Sequence, residues 1–83
     1  MPGINSTITR HGMDFHVQTQ DKGKTAHYVE STVYKSGRVL SSRKTFYTAI
    51  LDSPKLDAQI NQIIEEQHST ILQEIEEGKF DHL

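Results

Sequence analysis

Five histidines in a chain of 83 residues raise the question of a metal site. Zinc sites combine histidine, cysteine and carboxylate ligands at short, regular spacings, such as two histidines four positions apart on one helix. This chain has no cysteine, and no two of its histidines stand at that spacing. His16 and His27 could meet across neighbouring strands, but two ligands from an open pairing are too few. We therefore predict no metal site and no cofactor.

Nucleophilic catalysis would need a serine paired with a base. Ser31, Ser41 and Ser42 lack the glycine-flanked elbow of the G-x-S-x-G type, and the five glycines are scattered singly, so no phosphate-binding loop is present. The carboxylates of residues 65–77 fall mainly on the polar face of a predicted helix, where they keep the surface soluble. We predict that the protein is not an enzyme, and we assign no catalytic residue.

Basic and aromatic residues are interleaved around one predicted hairpin. The basic residues are Lys35, Arg38, Arg43 and Lys44, and the rings are Tyr34, Phe46 and Tyr47. This composition can hold phosphates and stack bases, so RNA or another polyanion is our alternative ligand. Lysine and arginine also keep an exposed strand edge from pairing with another chain. The formal net charge of -2 argues against a nucleic-acid partner.

The charge is divided between the two parts of the chain. Residues 1–50 hold seven Lys and Arg against three acids, a net charge of +4, whereas residues 51–83 hold two Lys against eight acids, a net charge of -6. Acidic side chains in the last turn of a helix oppose the helix dipole. They can form ion pairs with the basic strands of the same chain, with those of a second copy or with a basic partner. The simplest explanation for their presence is solubility alone.

A sheet must position the basic residues. Residues 13–19 alternate strictly, with Met13, Phe15, Val17 and Thr19 on one face, which is typical of a half-buried strand. Further β-prone runs, separated by polar or glycine-bearing turns, occupy residues 4–10, 26–34 and 38–47. We predict an antiparallel meander of three or four strands over residues 4–47.

Two turns fit the strongest hairpin. A three-residue loop over residues 35–37, with Gly37 in the left-handed conformation, would place Val33 opposite Val39. A two-residue Ser36-Gly37 turn would instead place Val33 opposite Leu40, and Glu30 opposite Arg43. We favour the three-residue loop. A slip of one residue would reverse which side chains face solvent.

A long amphipathic helix is predicted over residues 53–77. Ser53 is a good N-cap, Pro54 suits the first helical position, and Gly78 is a natural stop after which Phe80 can fold back. Inside the apolar arc, His68 fits a buried residue bonded to backbone or to a polar neighbour. The arc is wider than one core-facing stripe, so we expect a surplus apolar edge, represented by Ile63 and Leu72, to meet a partner.

Four motifs, taken in order, resemble a family of small uncharacterised bacterial proteins. They are FHVQTQD at residues 15–21, VYKSG at 33–37, SRKTFY at 42–47 and EQH at 66–68. The family's corresponding motifs are F-H-V-Q-T-E-D, V-Y-K-G-G, K-K-T-x-Y and E-x-Q-H. Gln20 replaces the family's acid and Ser36 replaces a glycine, while the resemblance spans about residues 13–80. It implies the same fold and a bacterial cytoplasmic setting, and it carries no activity.

The sequence thus predicts one α+β domain over residues 1–83, with the C-terminal helix packed on the sheet. No run reaches the ~20 apolar residues of a membrane span, and the first residues have neither a basic n-region nor an apolar h-region, so we expect a cytoplasmic protein without membrane contact. We predict a non-enzymatic protein-interaction domain that uses the edge of the helix or the exposed strand face to bind an unidentified protein partner, and a homodimer is one form this can take. The predicted core is Phe15, Val17, Val29, Val33, Val39, Ile60, Ile64, Ile71 and Ile75.

Overall fold

Four antiparallel strands and one long helix build a two-layer α+β domain in the computed structural model, which describes residues 3–83. In chain order the elements are β1 (Gly3–Arg10), β2 (Met13–Asp21), β3 (Tyr28–Lys35), β4 (Arg38–Phe46), a short 3-10 turn (Thr48–Ile50) and α1 (Leu56–Glu76). The strands form a meander in the order β1-β2-β3-β4, and α1 packs on one face, against β1, β2 and β3. The predicted fold class is confirmed.

The β1–β2 hairpin shows how local chemistry sets a register. His11 and Gly12 form its two-residue turn with φ angles of 52° and 77°, and the two strands then pair without interruption from Arg10–Met13 to Gly3–Gln20. Positive φ at both central residues matches the strand twist, which is why glycine suits such turns. The buried residues of β2 therefore fall at alternate positions beneath α1.

The β3–β4 hairpin differs from the favoured prediction. Lys35 pairs with Arg38, so the loop has two residues, Ser36 and Gly37, and the three-residue loop is wrong. The register then shifts at Val33/Tyr34, which leaves Leu40 as an extra residue in β4. The two-residue alternative is thus confirmed at the turn, but beyond the bulge Val33 lies opposite Ser41 and Glu30 opposite Lys44, so the pairs predicted there are wrong.

The bulge has a packing reason. Tyr34 lies opposite Val39, whereas Val33 lies opposite Ser41. The additional residue between them, Leu40, turns to the helix side and packs on the core. Val39 is consequently 56% exposed, and its predicted place in the core is wrong.

The helix begins at Leu56, three residues later than predicted. Ser53 does not cap it: its Oγ accepts a hydrogen bond from the backbone N–H of Lys55 at 3.1 Å, within the turn that precedes the helix. At the other end, Gly78 has φ 81°, and the backbone N–H of Lys79 donates to the Glu74 carbonyl. This is the glycine-terminated end that the sequence predicted.

The core beneath the helix is divided into two apolar clusters. The first contains Phe15, Val17, Val33, Ile71, Ile75 and Phe80. The second contains Val29, Tyr47, Leu56, Ile60 and Ile64. Every predicted core residue except Val39 is buried, and Tyr47, Leu56 and Phe80 are added to the set.

Candidate interaction surface

The sheet has one face that α1 does not cover, which we call the outer face. Exposed and half-buried residues alternate along β1, and β2 and β3 alternate between residues under α1 and residues on the opposite side. The register brings the outward residues of the four strands into one surface. Its members are Asn5, Thr7, Thr9, Asp14, His16, Gln18, Gln20, Tyr28, Glu30, Thr32, Tyr34, Val39, Ser42, Lys44 and Phe46.

An aromatic pair occupies one end of the outer face. The rings of Tyr28 and Phe46, which lie opposite each other in β3 and β4, have centroids 5.1 Å apart at an interplanar angle of 54°. Lys44 Nζ lies 4.8 Å from the Tyr28 ring centroid. Phe46 remains 63% exposed. The contact between the two rings restrains both side chains. A partner that packs on them therefore buries apolar area with little further loss of side-chain entropy.

The centre of the outer face carries a ring beside hydrogen-bonding groups. His16 lies opposite Tyr34, and its Nδ1 is 2.9 Å from the hydroxyl of Thr7. A shallow hollow of ≈ 250 Å³ opens here, bordered by Asn5 and Gln18 among others. The chemistry available at this point is hydrogen bonding and stacking.

Most charges on the outer face already have polar partners. The hydroxyl of Thr9 donates to Asp14 at 2.6 Å, and the hydroxyl of Ser42 donates to Glu30 at 2.8 Å. Lys44, over the Tyr28 ring, is the basic residue of this surface. The outer face is therefore mainly an uncharged polar and aromatic surface.

Under the sheet, a layer of polar side chains separates the two apolar clusters, and we call it the polar layer. It consists of Ser6, Thr19, Ser31, Thr45, Gln67 and His68. His68 is 4% exposed, with Nε2 2.8 Å from the Ser6 hydroxyl and Nδ1 2.8 Å from the Thr19 hydroxyl. Because a hydroxyl can donate or accept, both nitrogens of a neutral imidazole are satisfied.

Gln67 completes the polar layer toward β4. Its amide nitrogen donates to the hydroxyl of Ser31 at 2.8 Å and to the carbonyl of Arg43 at 3.3 Å, while its amide oxygen accepts from Thr45. The hydroxyls of Thr19 and Ser31 are 2.6 Å apart and link the two halves. The polar layer thus ties α1 to every strand of the sheet.

Burial governs the protonation of His68. Removal from water disfavours the imidazolium and lowers the pKa of His68 below its ordinary value. Its neighbours in the polar layer are neutral, so no carboxylate offsets that cost. His68 therefore acts as a neutral, structural histidine, in the position that the sequence predicted.

Two carboxylates outside the polar layer, those of Asp21 and Glu74, also accept side-chain hydrogen bonds. The Tyr47 hydroxyl donates to Asp21 at 2.6 Å, and burial together with this bond raises the pKa of Tyr47 to about 12. Arg43 donates twice to the Glu74 carboxylate, at 2.8 and 3.2 Å, which lowers the pKa of Glu74. Arg43 is thereby bound to the acidic end of α1 in the same chain.

The four basic residues singled out from the sequence do not form one patch. Arg43 faces α1, and Lys35 lies on the same side, with Nζ 5.4 Å from the Phe15 ring centroid and 3.2 Å from the Leu83 carbonyl. Lys44 lies on the outer face, and Arg38 is exposed beside the hairpin turn. Lys35 points to the helix side from β3, and the alternation of β4 directs Arg43 and Lys44 to opposite sides of the sheet.

Ile63 and Leu72 also lie apart. They are nine residues distant, which at about 100° per residue places them on opposite flanks of α1. Ile63 borders a groove with Arg43 and Thr45 of β4 and packs partly buried on the second cluster, whereas Leu72 packs partly buried on the first. The single surplus edge expected from the sequence is therefore two separate half-buried positions.

The histidines are dispersed. His16 is opposite Tyr34, whereas His27 precedes the other end of β3, with Nδ1 3.5 Å from the Thr48 hydroxyl. Among residues 3–83, no group of three or more His, Cys, Asp or Glu side chains is placed to hold a metal ion. In the same range, no helix combines the length and the apolar character needed to cross a membrane.

Three of the four sequence motifs contribute residues to the polar layer or to the adjacent Tyr47–Asp21 hydrogen bond. Thr19 and Asp21 belong to the first motif, Thr45 and Tyr47 to the third, and Gln67 and His68 to the fourth. The alternation placed Thr19 on the buried face of its strand, but the sequence did not identify Thr19 and Ser31 as the polar network that contacts His68. The available signal was two small polar residues at positions where alternation predicts apolar ones.

The chain is a two-layer α+β domain with an open sheet face and a buried polar layer. Compared with known proteins, it matches no family model, no curated protein and no solved structure.

Proposed function

We propose that the chain is a non-enzymatic protein-interaction domain that binds a partner polypeptide with the outer face of its sheet. The observation that carries this proposal is the aromatic pair of exposed Phe46 and half-buried Tyr28 on a face that α1 leaves open. Aromatic side chains are enriched at binding interfaces and dominate their energetics.

The remainder of the outer face supports the same function. Tyr34 and Lys44 add a third aromatic ring and a basic residue, and hydroxyls and amides from all four strands surround them. Rigid rings among small polar groups are the composition of antibody binding loops, which contact other proteins through polar, hydrated surfaces. The cysteine-free chain suits a reducing compartment, so we place this interaction in the cytoplasm.

The test compares two doubly substituted variants of the full chain. Tyr34→Asp/Phe46→Asp alters the outer face, and Gln62→Asp/Ser69→Asp adds the same charges to exposed positions on α1. Immobilised wild type and variants are incubated with cell extract, the retained proteins are quantified by mass spectrometry, and a retained partner is purified for calorimetry. We expect the outer-face variant to bind at least about 30-fold more weakly, because the loss of even one hot spot costs about 2 kcal/mol, and the α1 variant to bind like wild type.

Circular dichroism must show that both variants are folded. A purified partner that binds equally to the outer-face variant would contradict the proposal. So would a bound ligand that proves to be RNA, with affinity falling steeply as salt increases, because phosphate contacts have that signature.

A further inference from the structure

The two edges of the sheet differ in their protection against pairing. β4 carries Arg38, Arg43 and Lys44, and a bulge interrupts it at Leu40. Charged residues and bulges are the devices by which proteins keep edge strands from pairing with other chains. β1 has no charged residue from Gly3 to Thr9 and pairs with β2 without a register shift. The β4 edge is therefore blocked, whereas β1 is a regular strand whose outward backbone groups pair with no other strand among residues 3–83.

We infer that β1 is the pairing edge for a second copy of this chain, through a two-fold antiparallel β1–β1 contact that joins the two four-stranded sheets into one sheet of eight strands. The contact is made by the backbone edge of β1, whereas the aromatic pair that carries the proposed function lies on β3 and β4, so the inference does not rest on the proposed function.

The sequence of β1 is complementary to itself. Antiparallel pairing places side chains of the same face opposite each other, so a contact centred on Ser6 sets Ile4 of each copy against Ile8 of the other. Both isoleucines are half-buried and pack on the core from the helix side. On the outer face, the same register sets Asn5 against Thr7. No like charges meet across this contact.

An apolar residue of α1 lies beside the same edge. Leu72 follows His68 by one helical turn, and His68 reaches Ser6 of β1 at 2.8 Å, so Leu72 projects on the β1 side of the helix. It packs partly buried on the first cluster, as does Ile8. A second copy at the β1 edge would cover the exposed parts of Ile4, Ile8 and Leu72, which gives the contact hydrophobic burial in addition to backbone hydrogen bonds.

The basic residue at the end of β1 does not block pairing. Arg10 donates to the Asp81 carboxylate at 3.0 Å and to the Glu76 carbonyl at 3.1 Å. These contacts draw its charge toward the C-terminal end of α1 in its own chain. The protected β4 edge also prevents a β1–β4 contact, which would add copies without closure, so the expected assembly is a closed dimer.

The experiment uses complementary charges at the β1 edge of the full chain. Asn5→Lys/Thr7→Lys places lysines opposite lysines in the dimer, and Asn5→Glu/Thr7→Glu places glutamates opposite glutamates. Association is measured by light scattering and analytical ultracentrifugation over a concentration series. We expect wild type to be dimeric, each variant alone to have a dimer dissociation constant about tenfold higher or more, and an equimolar mixture of the two to recover the dimer.

Two controls separate the interface from folding and from the outer face. Thr32→Lys/Phe46→Lys adds two lysines to the outer face away from β1 and should leave the dimer unchanged. Leu72→Lys should weaken the dimer and Ile63→Lys should not, although both residues are partly buried on the core. Circular dichroism confirms that each variant is folded.

A wild type that is monomeric at every concentration would overturn the inference, and so would a dimer that persists in both β1 variants. Weakening without recovery in the mixture would also overturn it, because only opposed β1 strands bring the two sets of charges together. Loss of partner binding by an outer-face variant that still dimerises would bear on the proposed function alone.

Discussion

Four buried polar side chains, Thr19, Ser31, Gln67 and His68, lie in the middle of this small core. Each hydrogen-bonds to another, so none bears the cost of an unmade bond. Their bonds are directional, in contrast to the apolar contacts on either side. The polar layer therefore specifies how α1 sits along the strands, since sliding the helix by one turn would leave several of these groups unpaired.

His68 makes the stability of the fold depend on pH. Its pKa is lowered in the folded state because the imidazolium is desolvated, whereas in the unfolded chain it is about 6.5. Below that pH the unfolded state binds a proton that the folded state does not, so the free energy of unfolding falls as pH decreases, by at most about 1.4 kcal/mol per pH unit. Urea unfolding at pH 7.5, 6.5 and 5.5 measures this slope.

The matched control for the His68 prediction is His68→Gln. This side chain keeps a donor and an acceptor but does not titrate, so the slope between pH 6.5 and 5.5 should be smaller than in wild type. An equal slope in both proteins would show that another group is responsible.

At the scale of elements, the β3–β4 hairpin is the point where local sequence and structure differ most. The two-residue turn needs positive φ at both central positions, and Ser36 has φ 53° where glycine or asparagine is favoured. The bulge at Leu40 then shifts the register of β4 by one residue, so that Glu30 lies opposite Lys44. Turn strain and the bulge together determine which β4 side chains point outward.

Ser36 is consequently a position where stability can be gained. Asparagine adopts the left-handed conformation more readily than serine, so Ser36→Asn should raise the free energy of unfolding by about 0.5 kcal/mol, part of the roughly 1–2 kcal/mol that the conformation costs most residues. Ser36→Val should lower it, because a β-branched side chain is strained at positive φ. Urea denaturation of both variants tests this, and equal stabilities would contradict it.

At the scale of the whole molecule, the basic and acidic parts of the chain meet each other. Arg43 binds Glu74, and Arg10 binds Asp81, so cations from the strands reach acids in or after the helix. These contacts join residues far apart in the chain. The Arg43 contact also offsets the unfavourable position of the Glu74 carboxylate in the last turn of α1.

The Arg43–Glu74 pair should contribute measurably to stability. The contact has two hydrogen bonds and is partly shielded, so a double-mutant cycle of Arg43→Ala, Glu74→Ala and the double variant should give a coupling energy of about 0.5–1 kcal/mol that decreases in high salt. Lys79 and Glu77, an exposed pair close in sequence, supply the comparison and should couple more weakly. A coupling near zero for Arg43 and Glu74 would show that the pair only satisfies local hydrogen bonding.

The sequence by itself determined the features that follow the two-residue period of a strand or the 3.6-residue period of a helix. Alternation over residues 13–19 identified Phe15 and Val17 as core, and spacing along α1 identified Ile60, Ile64, Ile71 and Ile75. Gly78 marked the end of the helix because its conformation is a local property. These features need no knowledge of which elements are neighbours.

Only the tertiary structure decided the features that depend on contacts between distant residues. The bulge at Leu40 reflects packing of that side chain on the core, and it moved Val39 to the surface. The pairing of Arg43 with Glu74 and the contact of His68 with Ser6 join residues more than thirty positions apart. Such contacts are selected by the packing free energy of the whole domain, which no local period encodes. For the same reason, the difference between the blocked β4 edge and the open β1 edge could be recognised only in the assembled sheet.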